Sequence, residues 1–298
     1  MPKVLTAPKH LDFSLSELPS MDKPKKVLMV RPTHFSVDYV INPHMKGQVG
    51  NVDKSAAGEQ WEGVRDAFSD AGMQVHELEG KPGLPDMVFC ANQSLPFRSD
   101  NGDKEVIMSI MHSEHRKPEV APVEDWYAGQ DYERHHLNYK KVHSFEGMGD
   151  AIWHPGRKLL WGGYGFRTSR AAYSFISKTF GVPVILLELR HPEFYHLDTC
   201  FCALNERTAL IYPAAFTKAG LQMLRTMFPN IIEAPKEDAL HRFACNATCP
   251  DGKHVILQKG SAETVEKLRE HSFEVVEVET SEFLKSGGSV FCMKMMTW

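Results

Sequence analysis

The chain has 298 residues, with 34 Lys and Arg against 38 Asp and Glu, a formal charge of −4 and a hydrophobic content of 42%. That balance excludes the basic excess of a nucleic-acid-binding protein, and no apolar run reaches the roughly 18 residues of a membrane span. Six cysteines are too few for a disulfide scaffold, and a chain of this length can bury a core without one. The first residues, MPKVLTAPKHLDF, lack the apolar stretch of a signal peptide, so a cytoplasmic protein with free thiols is expected.

In chain order, strand KVLMVRP from Lys26 leads to a helix over Lys54–Ala71, where Ala57, Trp61, Val64 and Phe68 recur on one face. A strand MQVHELEG follows. The stretch MVFCANQSLPF, the polar turn SDNGDK and strand EVIMSIM come next, with a helix expected near Pro122–His136. From Phe145 the chain reads EGMGDAIWHPGRKLLWGG, a helix near Ser169–Phe180, then VPVILLEL. From Tyr195 it reads HLDTCFCAL, turn NERT, strand ALIYP, a helix near Thr217–Met227 and NIIEAP. Another copy runs ACNATC, PDGK, HVILQ, a helix over Ser261–His271 with Ser261 expected as its N-cap, and FEVVEVE. The turns NER, PDGK and NGD tolerate tight hairpin geometry.

These copies share one order of elements, a strand, turn, strand, amphipathic helix and strand, with a period near fifty residues. The last segment, GGSVFCMKM, reads as a strand with no helix after it. The N-terminal strand, helix and strand supply what it lacks. Pairing the first and last strands therefore completes five units in a ring and hides two sheet edges.

Polar residues recur at the same phase of this repeat: Asn92, Glu146 with Asp150, His196 with Asp198, Asn246 and Cys292, separated by 54, 50, 50 and 46 residues. A thiolate is a nucleophile, and a nearby imidazolium lowers its pKa and later serves as a base. A carboxylate beside the histidine orients the ring, and the HLD sequence puts Asp198 on that face if the segment is a strand. Further carboxylates and amides suit a planar cation with several N–H donors, for which guanidinium is the obvious biological candidate. Each residue also has an ordinary reading: Cys292 as a small buried hydrophobe, His196 as a structural histidine, Glu146–Asp150 as a turn, Asn92 and above all Asn246 as turn formers. Cys200, Cys202, Cys245 and Cys249 suggest a metal site, but their C-x-C and C-x3-C spacings do not match paired knuckles. A non-catalytic binding domain is a third alternative, opposed by the joint presence of Cys292, His196, Glu146 and Asp198.

FEGMGD (Phe145–Asp150), GYGFRTSR (Gly163–Arg170), HLDT (His196–Thr199), CNA (Cys245–Ala247) and SGGSVFC (Ser286–Cys292) stand in an order that resembles the guanidino-modifying (pentein) superfamily of arginine deiminases, dimethylarginine hydrolases, amidinotransferases and arginine dihydrolases. The resemblance begins near Lys25. It implies a single catalytic domain over residues 25–298, an N-terminal arm over residues 1–24, and an α/β fold of the five-bladed β/α propeller type, with ββαβ repeats around a central active site. RPTHFSVDYVINPHM (Arg31–Met45) and PDMVFCANQ (Pro85–Gln93) are most similar to the hydrolase domain of arginine dihydrolases, which convert arginine to ornithine, carbon dioxide and two ammonia. Asn92 stands where deiminases usually carry aspartate.

The resemblance implies attack on the guanidinium carbon by Cys292, proton transfer by His196 and support of His196 by Glu146. It assigns Asp198 and Asn92 to the guanidinium nitrogens, Arg167 and Arg116 to the substrate carboxylate, and Asn42 to the substrate end of the pocket. The implied partner is a small guanidino molecule, with no metal, organic cofactor, nucleic acid or membrane; a homo-oligomer is left open. Phe291 stands where many relatives are polar or basic, and the further C-terminal region of many dihydrolases is not in this sequence.

Overall fold

The structure, a computed structural model, describes residues 3–298. A short strand β1 (Val4–Leu5) comes first. The first unit is β2 (Lys26–Val30), α1 (Lys54–Asp70) and β3 (Gln74–Leu78). The second is β4 (Ser94–Arg98), β5 (Lys104–Met108), α2 (Val120–Ala128) and β6 (Glu133–His136). The third opens with a single turn, α3 (Gly147–Asp150), followed by β7 (Ala151–Trp153), β8 (Leu160–Tyr164), α4 (Ala172–Phe180) and β9 (Val184–Glu188). The fourth is β10 (Phe201–Ala203), β11 (Thr208–Ile211), α5 (Lys218–Met227) and β12 (Asn230–Glu233). After α6 (Lys236–His241) the fifth is β13 (His254–Gln258), α7 (Ala262–Glu270) and β14 (Glu274–Val278), followed by α8 (Ser281–Leu284) and β15 (Met295–Thr297).

Each unit forms its own sheet with one pattern. An antiparallel hairpin pair is joined to a third strand that runs parallel to the second, and a parallel neighbour requires the helical crossover seen in every copy. In the fifth unit the first strand is reduced to a single bridge, Thr248 to Ile256, beside the parallel pair β13–β14. The first unit takes its hairpin partner from the other end of the chain: β15 pairs antiparallel with β2, Met295 opposite Leu28 and Thr297 opposite Lys26. The joining of the termini expected from the repeat is thus present in the structure.

Helix α1 buries Ala57, Trp61, Val64 and Phe68, and Asp53 caps it by accepting from Ser55 N and Ala56 N at 2.9 and 3.0 Å. Three local expectations are corrected. The helix foreseen over Pro122–His136 stops at Ala128; Asp131 turns the chain at φ 58°, and Glu133–His136 becomes the strand that completes the second sheet. Ser261 sits at the N-cap of α7 without capping it, its hydroxyl donating instead to Gln258 O at 3.4 Å. The sequences HLDT and GGSVFC are not strands. His196–Thr199 lies in a 3-10 turn ahead of β10, and Cys292 lies in the turn ahead of β15, because their side chains and amides bond to each other rather than to a neighbouring strand.

β1 adds to the edge of β9, and Met21 is buried, so residues 3–24 lie along the body of the molecule. No helix among the described residues is long and apolar enough to cross a membrane. One continuous core joins all five sheets. Trp61, 1% exposed, anchors the first unit to it, so Trp61→Ala should lower the unfolding free energy by about 3–5 kcal/mol in a denaturant titration. A loss below about 1 kcal/mol would show that closure of the first unit does not depend on this helix.

Candidate active site

Five turns, each just ahead of the first strand of a unit or of β15, bring the site together. In the last of them Cys292 is 3% exposed. Its thiol donates to Asp198 Oδ2 at 3.2 Å and receives Asn246 Nδ2 at 3.2 Å. Asn246 holds the turn from several sides: its Oδ1 accepts from Ser289 N at 3.0 Å and Cys292 N at 3.3 Å, and its Nδ2 also reaches Asp198 O at 3.0 Å. Ala91 N donates to Cys292 O at 3.1 Å and ties Cys292 to the turn that carries Asn92. Gly287 and Gly288 make the approach: a Cβ on Gly287, whose φ is +83°, would lie 2.9 Å from Asn42 Oδ1, and one on Gly288 would lie 2.4 Å from the Phe89 ring.

His196 Nε2 meets Glu146 Oε2 at 2.6 Å. Glu146 is itself held by Arg167 Nη1 at 3.2 Å and by the backbone N–H of His112 at 2.9 Å. Asp150 Oδ1 accepts from Leu197 N at 2.9 Å, which fixes the backbone beside His196. The carboxylate that orients the imidazole is therefore Glu146, from another unit. Asp198 turns toward the thiol instead, since the segment is not extended and the two-residue strand alternation does not apply.

Asn92 Oδ1 accepts from Arg116 Nη1 at 2.8 Å, while its Nδ2 is buried with no partner. Gly149 makes room for that amide: a Cβ there would lie 2.3 Å from Asn92 Nδ2 and 3.4 Å from the His196 ring. Arg116 is almost fully committed, to Glu119 at 2.8 Å and to the carbonyls of Asp86 and Phe89 at 3.1 and 3.3 Å, so it positions Asn92 in this structure. Arg167 Nη2 donates to Ile41 O at 2.8 Å. Asn42 caps a 3-10 turn, its Oδ1 accepting from His44 N and Met45 N and its Nδ2 reaching Ser286 O at 2.9 Å.

The resulting pocket, lined by Ile41, Asn42, Asn92, Arg116, Arg167 and Cys292 among others, holds about 10 Å³, room for about one water. The site is narrow, and Ile41, Asn42 and Met45 form one of its walls. Asp86, which the sequence did not flag, ties two of the walls together by accepting from Tyr39 OH and from Ser286 Oγ, each at 2.8 Å. The motif PDM carries no chemical signal by itself; only the fold shows what Asp86 touches. Asn246 was visible at the repeat phase but undervalued, because its four contacts are all to groups distant in sequence.

Comparison with known proteins gives the family. Residues 31–297 match the model of N,N dimethylarginine dimethylhydrolase, eukaryotic. The chain belongs to that family, within the guanidino-modifying superfamily. It is 35% identical over 91% of its length to the bifunctional arginine dihydrolase/ornithine cyclodeaminase AgrE of Nostoc, of which it spans 37%. It is 36% identical over 90% of its length to the dimethylarginine dimethylaminohydrolase of Mycobacterium tuberculosis, of which it spans 84%. The crystal structure of the N-terminal domain of ArgZ, a cyanobacterial arginine dihydrolase bound to substrate, superposes with a TM-score of 0.84 at 33% identity, covering 91% of this chain and 97% of that domain. The protein is a guanidino C–N hydrolase with the α/β fold of these enzymes.

Protonation follows from burial in this hydrolase. Burial and the facing Asp198 carboxylate push the Cys292 thiol well above its ordinary value of 9.0, and burial raises Asp198 to about 7 despite that hydrogen bond. Burial alone would also raise Glu146, but the Arg167 guanidinium and the His196 ring outweigh it and hold the carboxyl well below the usual range. The resting site thus pairs a neutral thiol with Asp198 and keeps a charged Glu146 beneath His196. Asn246→Ala strips the buried Ser289 and Cys292 amides of their acceptor, at about 1–3 kcal/mol each. The variant should lose about 2–5 kcal/mol of stability and at least tenfold in turnover, read by a denaturant titration and ammonia release; unchanged turnover would sink Asn246's role in holding the nucleophile.

Proposed function

We propose that the protein is an arginine dihydrolase, converting L-arginine and two waters into ornithine, carbon dioxide and two ammonia. The observation that carries this reading is Asn92, whose buried Nδ2 has no partner while its Oδ1 is held by Arg116. A free amide donor suits the oxygen that water brings to the sulfur-bound carbon, which accepts hydrogen bonds, and an aspartate there would repel it. The site can therefore retain the half-hydrolysed group for a second round. The names of the ArgZ and AgrE relatives support the same reading.

The guanidinium enters against Asp198, with Arg167 and, once the Ile41–Met45 segment has shifted, Arg116 and Asn42 at the substrate's amino-acid end. Its positive charge beside Asp198 favours the thiolate over the thiol, and Cys292 Sγ bonds to the guanidinium carbon. His196, its Nε2 held by Glu146, protonates one leaving nitrogen, which departs as ammonia, and the carbon stays on sulfur as a thiouronium. His196 then takes a proton from water, which adds to that carbon; loss of the second ammonia leaves a thiocarbamate. A second water breaks the C–S bond, returns the thiolate and releases ornithine carbamate, which loses carbon dioxide.

A second reading, hydrolysis of dimethylarginine to citrulline and dimethylamine, is favoured by the matched family and by the mycobacterial relative's name. Two methyl groups on a guanidinium nitrogen need apolar room, whereas Asp198 bonds to the thiol and Asn92, Arg116 and Arg167 line the narrow pocket beside it. Incubation with L-arginine, with Cys292→Ala as the blank, should yield ornithine and two ammonia per arginine consumed, and Asn92→Asp should shift the product to citrulline. Citrulline with one ammonia from the unaltered protein would make it a deiminase, and dimethylamine from dimethylarginine without turnover of arginine would establish the second reading.

A further inference from the structure

The molecule has far more room away from its catalytic centre than in it. A separate cavity of about 520 Å³ shares no lining residue with the pocket over Cys292. That volume lies in the range of about 300–1,000 Å³ typical of small-molecule sites, which combine apolar walls with a few placed polar groups. The walls include Met148, Ile152, Trp153, Phe291, Met296 and Trp298.

Lys294 also lines this cavity and is 1% exposed. Its ammonium lies 3.4 Å from the centroid of the Phe291 ring. Among the described residues it has no carboxylate within ion-pairing distance and no hydrogen-bond acceptor; Asp198 acts on it only from farther away, so no counter-ion touches this buried cation. Such a charge is costly unless paired. Burial pulls its pKa down to about 8, which still leaves it protonated at neutral pH.

The acids near the mouth do not serve it. Asp22 is near Arg98 at 3.5 Å, Glu206 is held by Arg157 at 2.8 Å and Asp251 by His254 at 2.6 Å. Lys23 donates to a backbone carbonyl, Asp251 O, at 2.8 Å and neutralises no charge. The cavity is thus polar toward its mouth, with an apolar stretch of wall around Phe291, Met296 and Trp298 beside the cation of Lys294.

We propose that this cavity binds a small amphipathic organic anion, its carboxylate paired with Lys294 and its apolar chain or ring lying along Trp153, Phe291, Met296 and Trp298. A single ammonium with aromatic walls suits a monoanion carrying an apolar body. A free phosphate needs several converging donors, and only one is present at the buried end. The site's existence does not depend on which guanidino substrate is hydrolysed, although Lys294 lies two residues from Cys292 and its charge reaches Asp198.

Sodium octanoate is the probe, titrated calorimetrically into the full-length protein. One saturable site is expected. Lys294→Met, which removes the charge and keeps the volume, should weaken binding at least tenfold. Ala203→Trp, which fills the cavity from its wall and leaves Lys294 in place, should do the same; this second variant decides the matter if the first fails to fold. 1-Octanol and inorganic phosphate, which test the chain and the headgroup separately, should each bind at least tenfold more weakly than octanoate. The proposal is overturned if the folded protein shows no saturable octanoate binding, if neither variant weakens it, or if phosphate or octanol binds as tightly.

Discussion

The hydrogen bond between the Cys292 thiol and Asp198, 3.2 Å long and sealed from solvent, sets the terms for everything around it. Thiolate and carboxylate at that distance in a dry site cannot both be charged without a cation between or beside them. The ligand that resolves the conflict is a planar cation with N–H donors on more than one edge, which is a guanidinium. On the proposed assignment of Cys292 as nucleophile, selection of the substrate's head group and activation of the thiol are one event: until the cation arrives, the thiol keeps its proton.

No arginine is left to pair with Asp198, and Lys294 acts on it only from beyond ion-pairing distance. The nearby arginines are committed elsewhere, Arg167 to Glu146 and Ile41 O, Arg116 to Glu119 and Asn92. Glu146 in turn keeps one imidazole nitrogen fixed, so the other face of His196 is free for proton transfer. Asn246 spans the remaining gap between the turns of Asp198 and Cys292. Asn92, Glu146, His196, Asn246 and Cys292 come from five different turns of the repeat. Closure of the first unit by β15 is what carries Cys292 to the turn of Asn92, so the repeat is a device for bringing five sequence-distant turns to one point.

Much of this was legible before any coordinates. The period near fifty residues aligned Asn92, Glu146, His196, Asn246 and Cys292, and the lone terminal strand foretold the pairing of the chain ends. Motif order then implied the family and most of the roles. Alternation along an extended strand, however, suggested the wrong partner for His196, because a 3-10 turn reorients every side chain within three residues. The strand Glu133–His136 was hidden inside an apparent helix, since its only partner, β5, lies nearly thirty residues away. Asp86 and Lys294 could not be recognised at all. Their importance lies in what they face, two walls of the pocket in one case and a partly apolar cavity in the other, and neither is encoded in local pattern.

The central claim is that Cys292 rests as a neutral thiol because of its burial against Asp198. A pH titration of the ultraviolet thiolate absorbance of the free protein, referenced to Cys292→Ser, tests it most directly. The account predicts a midpoint for Cys292 above the ordinary value of 9.0. A midpoint below that value, in the range of about 3.5–7.5 found for activated cysteines, would mean that the nucleophile is already ionised before substrate binds, and would contradict it.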